Sequence, residues 1–195
     1  LKVPVGITLM MEAGATVVSR HDGHVVVSGN LVAQGTAVSP VTFTSITDTL
    51  PGEWAGLIIS GTASLDHAIV RNGQRNLDVQ AVAGTISITH SEVGQASEVG
   101  LGIAGGQVTA VCTTFSHNTN DAIYVAGSPD VTVFSSSISG NGSGVNNVGS
   151  TAVDARQNWW GDASGPGGVG PGSGDAIWGN VMYDPWLNEP TCNLT

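Results

Sequence analysis

One pattern occurs three times along the chain: residues 86–93 read ISITHSEV, residues 108–115 read VTAVCTTF, and residues 131–138 read VTVFSSSI. Each stretch begins with apolar residues at alternate positions, and the starts at 86, 108 and 131 are almost evenly spaced. Alternation within a β-strand places one side chain inside and the next outside. We therefore predict that the three stretches stack, with an inward column and an outward column. The inward column begins with Ile86, Val108 and Val131, and the outward column comprises Ser87, Thr109 and Thr132.

A second column has the same step. Leu101, Ile123 and Val145 follow one another at equal intervals, each in a short apolar patch near glycine. An antiparallel sandwich would need tight hairpin turns and would show no constant step. The fixed step predicts coils of a parallel β-helix.

Composition supports an all-β chain and excludes some partners. The 195 residues include 28 glycines, only 10% charged residues and 41% hydrophobic residues. The net charge of −10 opposes binding to nucleic acid and to anionic membranes, because such binding depends on clustered Lys and Arg. No run of about 20 apolar residues suggests insertion into a membrane. The chain begins with Leu1, which favours a mature or trimmed form.

The repeat breaks after Gly161, where residues 165–174 read GPGGVGPGSG. A solenoid exposes an open edge at its end, which must be covered. We therefore expect coils over residues 1–161 and a cap or tail over residues 162–195 that packs on the same domain.

Three stretches carry a resemblance to a known family: residues 6–18; residues 27–36 with 40–45 and 51–56; and residues 153–166, closing with 183–187. They resemble right-handed, pectate-lyase-like parallel β-helix segments of large bacterial surface and exported proteins. The resemblance implies an all-β, right-handed, single-stranded parallel β-helix with coils of about 22 residues and a C-terminal loop cap. It also implies a secreted or cell-surface location within a larger surface protein. The fold hosts lyases, hydrolases, epimerases, adhesins and spacers, so it does not settle activity.

Asp66, His67 and His90 are the catalytic candidates. Asp66 and His67 lie on one predicted strand, residues 64–70, where neighbours point to opposite faces. One step of the repeat leads from His90 to Cys112 and from His117 to Gly140, so we expect the histidines not to form one column. The motifs of polygalacturonases, alginate epimerases and pectate lyases are not found either. We therefore expect no catalytic set.

Trp54 is the candidate for stacking on a sugar ligand, and Trp178 stays open for the same role. Trp159 and Trp160 lie in the cap signature and are predicted to be buried. Residues 21–24, HDGH, are expected to form a polar turn rather than a metal site. No resident cofactor is predicted, with one alternative: a calcium ion shared by Asp162, Asp175 and Asp184 on the tail loops.

Cys112 and Cys192 leave two states open, a disulfide that ties the tail to the body or two unpaired thiols. For function, the leading hypothesis is a non-catalytic secreted or cell-surface module, structural, adhesive or ligand-binding, with a polysaccharide or a surface component as partner. A polysaccharide-active enzyme with an unrecognised groove and a dedicated carbohydrate-binding module are the alternatives.

Overall fold

A computed structural model describes residues 1–80 and 83–192. Within these ranges the chain forms 23 strands and no α-helix, arranged as three parallel sheets. The sheets stack as a solenoid of about seven turns, with about 23 residues in each turn. The predicted parallel β-helix is therefore confirmed. No helix in the described ranges is long and apolar enough to cross a membrane.

Each sheet takes one strand from successive coils. In spatial order, sheet A contains β1 (Lys2–Val3), β4 (His24–Val27), β7 (Gly56–Ile59), β10 (Arg75–Val79), β13 (Val99–Ile103), β16 (Asp121–Val125), β19 (Ser143–Asn147), β22 (Gly174–Gly179) and β21 (Pro166–Gly168). Sheet B contains β2 (Thr8–Met11), β5 (Asn30–Gln34), β8 (Thr62–Asp66), β11 (Thr85–Thr89), β14 (Gln107–Val111), β17 (Asp130–Phe134), β20 (Val153–Asp154) and β23 (Val181–Met182). Sheet C contains β3 (Thr16–Ser19), β6 (Val41–Ser45), β9 (Ala68–Arg71), β12 (Glu92–Gly94), β15 (Thr114–Ser116) and β18 (Ser137–Ser139).

Both predicted columns are present in the strand register. Val108 pairs with Ile86 on one side and with Val131 on the other, and all three are buried. Ile123 pairs in the same way with Leu101 and Val145. The outward column is also as predicted, with Thr109 between Ser87 and Thr132. Burial of one large aliphatic side chain stabilises a fold by roughly 1.5–3 kcal/mol, so the inward columns hold the coils together.

Two loops make one coil longer than the rest. Asn30 and Thr62 pair across a sequence separation of 32, whereas Thr8 and Asn30 pair across a separation of 22. The additional residues form loops between β5 and β6 (residues 35–40) and between β6 and β7 (residues 46–55). We refer to this coil as the long coil and to those from β8 to β20 as the regular coils.

The corner between sheets B and C is made by residues with a left-handed backbone. The φ angles of His67, His90, Cys112, Ser135 and Gln157 lie between 46° and 58°. Few residues other than glycine adopt this conformation, and His, Asn and Asp are enriched among those that do. The single predicted strand over residues 64–70 is therefore wrong: His67 turns the chain and separates β8 from β9.

The tail packs on the body and also extends it. β22 pairs with β19 and β23 pairs with β20, so strands continue the sheets beyond residue 161, where we expected loops. Trp160 is fully buried as predicted, Trp159 is only half-buried, and Trp186 packs against the core. Cys112 and Cys192 form a disulfide. Of the two states that the sequence left open, the structure has the bonded one.

Candidate functional site

The first candidate site lies where β8 and β11 reach the corner between sheets B and C. Asp66 is the last residue of β8, and His67 and His90 occupy the left-handed corner positions of two successive coils. The two imidazole rings stack with centroids 4.9 Å apart and planes inclined by 18°. Both face the same carboxylate: Asp66 Oδ1 lies 3.0 Å from His90 Nδ1 and 3.3 Å from His67 Nδ1. We refer to these three residues as the histidine corner.

The carboxylate of this corner is held in place from one side. Thr89 Oγ1 donates a hydrogen bond of 2.7 Å to Asp66 Oδ1. Burial raises the pKa of Asp66, but the hydrogen bonds from His90 and Thr89 outweigh it, so the pKa lies below its ordinary value. Asp66 is therefore ionised at neutral pH and presents a fixed negative charge to both imidazoles.

A cavity of about 130 Å³ adjoins the histidine corner. The loop at residues 35–40 borders the cavity from one side, and strands of sheet C border it from the other. Its lining residues are Thr36, Ala37, Pro40, His67, Ala68, Ile69, His90 and Glu92. The cavity is small enough for an ion with its water ligands or for one small polar group.

The prediction that the histidines form no column is wrong for His67 and His90. The two residues are one coil apart, since Thr89 and Asp66, the residues just before them, pair directly in the register. Counting backward from His90 along the sequence would have found this pair. His117 lies at the other corner of its coil, between β15 and β16, and is not part of the group.

The assignment of Trp54 as a sugar-stacking residue is also wrong. Its side chain is 0% exposed, and its indole Nε1 donates a 2.7 Å hydrogen bond to the carbonyl oxygen of Arg71. The ring therefore fills the core beneath the loop at residues 46–55 and offers no face to a ligand. Among the tryptophans of the sequence, Trp178 is the exposed one, at 48%.

The second candidate site is a column on the outer face of sheet A. Trp178 pairs with Asn146, which pairs with Tyr124, and the column continues through Gly102 to Asp78. The residues on either side of Tyr124 in β16, Ile123 and Val125, are buried, so Tyr124 points outward. We refer to this set, together with Arg75, as the sheet A column. It lies in the register of the Leu101, Ile123 and Val145 column, one position later in each strand.

Gly102 makes room for an arginine in this column. A Cβ atom at Gly102 would collide with the guanidinium of Arg75 and would lie only 3.1 Å from Asp78 Oδ1. Because residue 102 has no side chain, Arg75 lies between Asp78, at 3.3 Å, and the ring of Tyr124, at 5.9 Å from the ring centroid. Arg75 Nε is buried and has no hydrogen-bond partner in the described residues. The column thus combines two aromatic rings, a cation and an amide on one surface.

The three acidic residues predicted to share a calcium ion do not come together. Asp175 accepts hydrogen bonds from the backbone of Gly140 and from both the backbone and side chain of Asn141. Asp162 accepts a 2.6 Å bond from Ser164. In residues 1–80 and 83–192, the one group of three or more potential metal ligands within 4.8 Å of one another is the histidine corner. Asp162, Asp175 and Asp184 therefore do not form a common ligand group in the described residues, and Asp175 and Asp162 make backbone and turn contacts instead.

Residues 21–24 form the expected polar turn. Gly23 N donates to the carbonyl oxygen of Arg20 at 2.8 Å, and Asp22 has a left-handed backbone. The His21 and Asp22 side chains lie 3.0 Å apart and are largely exposed.

Comparison with known proteins agrees with this architecture. Residues 1–87 match the model of the family described as the pectate-lyase like beta helix domain. Over these residues the chain is similar to that family, and the fold of the described residues is a parallel β-helix. The β-helix continues in the same three sheets beyond the matched residues, as far as β23. Neither the curated proteins nor the solved structures contain a significant match to the chain. This fold supports a carbohydrate-related role and does not by itself separate an enzyme from a binding module.

Proposed function

We propose that this β-helix is a non-catalytic module of a secreted or cell-surface protein and that it binds a neutral polysaccharide along the sheet A column. The observation that carries the proposal is the alignment of exposed Trp178 with Asn146 and Tyr124 across three neighbouring strands. Aromatic rings present flat apolar faces with a polar edge, and such faces suit the apolar side of a sugar ring.

The spacing of the column supports a chain-like ligand. Neighbouring strands lie about 4.8 Å apart, so the backbones that carry Tyr124 and Trp178 are roughly 9.6 Å apart. Asn146 lies between the two rings and has both an amide donor and an amide acceptor. Arg75 and Asp78 extend the polar part of the surface beyond Tyr124. A linear polymer lying across the strands would contact an aromatic ring, an amide and a second aromatic ring in turn.

Charge favours a neutral polymer over an acidic one. The chain has 15 acidic and 5 basic residues, and Arg75 is already paired with Asp78. A protein with this net charge repels polyanions, and the repulsion is strongest at low salt. Neutral polysaccharides do not meet this barrier.

Two surface carboxylates, Asp66 and Asp154, are unsuited to the acid step of glycoside hydrolysis. A glycoside hydrolase needs one carboxyl group that stays protonated near neutral pH, which requires a raised pKa. The pKa of Asp154 is instead lowered by the side chain of Arg156, whose Nε and Nη2 atoms lie 2.8 and 2.7 Å from its oxygens. The pKa of Asp66 is also lowered, as described above.

The test begins with a glycan array that contains neutral and acidic polysaccharides, probed with calcium and again with chelator. We expect binding to a neutral class in both conditions. The affinity for that glycan should fall about tenfold or more in Trp178→Ala and Tyr124→Ala, a loss of about 1.4 kcal/mol or more. Calorimetry on the purified full chain measures the affinity of each variant for the glycan.

Phe134→Ala is the matched control, because Phe134 is an exposed aromatic residue at 38% on sheet B. Its affinity should equal that of the unmodified chain. An equal loss in all three variants would assign binding to another surface. Absence of binding to every glycan would contradict the proposal and favour a structural module.

A further inference from the structure

We propose that the histidine corner, Asp66, His67 and His90, is a binding site for one divalent transition-metal ion of the zinc class. The site is on the corner between sheets B and C, whereas the proposed polysaccharide surface is on sheet A. The inference therefore does not depend on the proposed function.

The distances at the corner suit a shared metal ion. Zinc forms bonds of about 2.0–2.1 Å to nitrogen and oxygen in tetrahedral geometry, which places neighbouring ligand atoms roughly 3.3–3.4 Å apart. The two separations from Asp66 Oδ1 to the imidazole Nδ1 atoms are 3.0 and 3.3 Å. The ligand atoms of all three residues lie within 4.8 Å of one another. His90 is half-exposed, so its ring is free to tilt out of the stack and direct a lone pair at the ion.

Two atoms at the corner lack partners that a metal would supply. His67 Nδ1 is buried and makes no hydrogen bond in the described ranges, because its contact with Asp66 has the wrong geometry despite the short distance. The side-chain hydrogen bonds to the Asp66 carboxylate in those ranges all reach Oδ1, so Oδ2 is an alternative to Oδ1 as the ligand atom. A buried nitrogen without a partner is destabilising, so coordination would remove an existing penalty.

The surroundings already orient the ligands. Metal-binding carboxylates are typically fixed by a further hydrogen bond, and Thr89 supplies one to Asp66. The left-handed backbone at residues 67 and 90 fixes both histidines at the same place in successive coils. Glu92 lines the same cavity and adds negative charge, which attracts a cation.

The donor set selects the class of ion. Two imidazole nitrogens and one carboxylate suit zinc and neighbouring transition metals, whereas calcium and magnesium take oxygen ligands. Three protein ligands leave at least one coordination position for water or a small ligand from the adjoining cavity. Zinc sites with this arrangement are open rather than closed.

The test is a titration of the metal-free full chain with ZnCl2, followed by calorimetry, and with CoCl2, followed by visible absorption. We expect one ion per chain and cobalt bands typical of a tetrahedral site. In His67→Asn and His90→Asn, affinity should fall at least about tenfold. Asparagine tolerates the left-handed backbone, so these variants keep the corner conformation.

His117→Asn is the matched control, since His117 also has a left-handed backbone, with φ of 56°, but lies outside the group. It should bind zinc as the unmodified chain does, and all three variants should keep the same thermal transition without metal. The proposal is overturned if zinc does not saturate at one ion per chain, if His117→Asn loses as much affinity, or if CaCl2 displaces the zinc.

Discussion

The regular coils and the long coil satisfy the polar groups at their corners in different ways. In the regular coils, uncharged side chains turn inward and bond to the backbone of the next coil. In the long coil, charged side chains on the surface hold the loop at residues 46–55. The difference separates two kinds of stabilisation within one solenoid.

In the regular coils, buried hydrogen bonds at the corner between sheets B and C connect each coil to the next. We refer to these bonds as the corner ladder. Ala68 N donates to Ser91 Oγ, and Thr113 N donates to Ser136 Oγ, with bonds of 3.0 and 3.1 Å. Ser136 N in turn donates to Asn158 Oδ1 at 2.9 Å. Each of these bonds joins one coil to the next and lies out of contact with water. Each of these backbone amides therefore depends on a side-chain acceptor in the next coil.

The loop of the long coil is held by two carboxylates instead. Asp48 accepts from the guanidinium of Arg71, with Oδ1 at 2.8 Å from Nε, and from the amide of Asn72 at 2.8 Å. Glu53 accepts from Ser45 Oγ at 2.6 Å and from Thr49 Oγ1 at 2.9 Å. These contacts are partly exposed, so water competes for each of them. We therefore expect the ladder to contribute mainly to global stability and the loop contacts mainly to local order.

The largest expected effect comes from breaking the ladder. Asn158→Ala removes the acceptor of Ser136 N and the donor that bonds to Val133 O at 2.7 Å and to Ala155 O at 2.8 Å. A buried polar group without a partner costs about 1–3 kcal/mol, so the free energy of unfolding should fall by roughly 3 kcal/mol or more. Urea denaturation measures the change. Exposed Asn120→Ala is the control and should stay within about 0.5 kcal/mol.

A smaller effect is expected from the loop. Asp48→Asn removes the charge that pairs with Arg71 and keeps an oxygen acceptor for Asn72. Because both partners are about one-third exposed, the free energy of unfolding should fall by only about 1 kcal/mol. The same denaturation measurement applies. A loss as large as that of Asn158→Ala would show that the two regions do not differ in the way described.

The smallest expected effect is a pH dependence confined to the loop. Hydrogen bonds from Ser45 and Thr47 lower the pKa of Glu53 to about 2, against 4.5 for an ordinary glutamate. A lowered pKa in the folded state stabilises the loop above the ordinary pKa, and this contribution is lost as the pH falls from about 4.5 to about 2. Hydrogen exchange of the amides in residues 46–53, corrected for the intrinsic rate, should therefore speed up over that range.

The uncharged ladder gives the internal comparison for this measurement. Amides of Thr113 and Ser136 bond to side chains that do not titrate, so their protection should not follow the same pH curve. Glu53→Gln should reduce the pH dependence of the loop and leave the part due to Asp48, whose pKa is lowered mainly by the hydrogen bond from Arg71. A loop that responds to pH equally with and without Glu53 would contradict the assignment.

The constant step of the sequence repeat made the regular coils predictable. The long coil does not follow this step, so its strand positions and loops were not predicted. The column through Ile86, Val108 and Val131 follows from a constant step and strand alternation alone. The longer step from Asn30 to Thr62 contains two loops, and loops of variable length produce no regular repeat in the sequence. The position of Trp54 was not predictable for the same reason, because only the path of the loop places its ring in the core.

The candidate sites were less predictable than the coils because they depend on corners. The strand pattern around Asp66 and His67 contains no sign of the left-handed residue between β8 and β9. The sheet A column was partly accessible, since Tyr124 and Asn146 each follow a residue of a predicted inward column. Trp178 was not, because the non-repeating start of the tail lies between it and Asn146. The disulfide depends on the same tail and could not be read from spacing.

The left-handed corner column governs how this surface tolerates change. An interior position must match a neighbour on each adjoining coil, so a new side chain there disturbs several others. A corner position must meet a backbone angle, and four different side-chain types do so, at His67, His90, Cys112, Ser135 and Gln157. In one column the chain thus places a stacked imidazole pair and, one coil further, the anchor of its disulfide. The bends of this solenoid therefore carry reactive side chains without altering the apolar columns of its core.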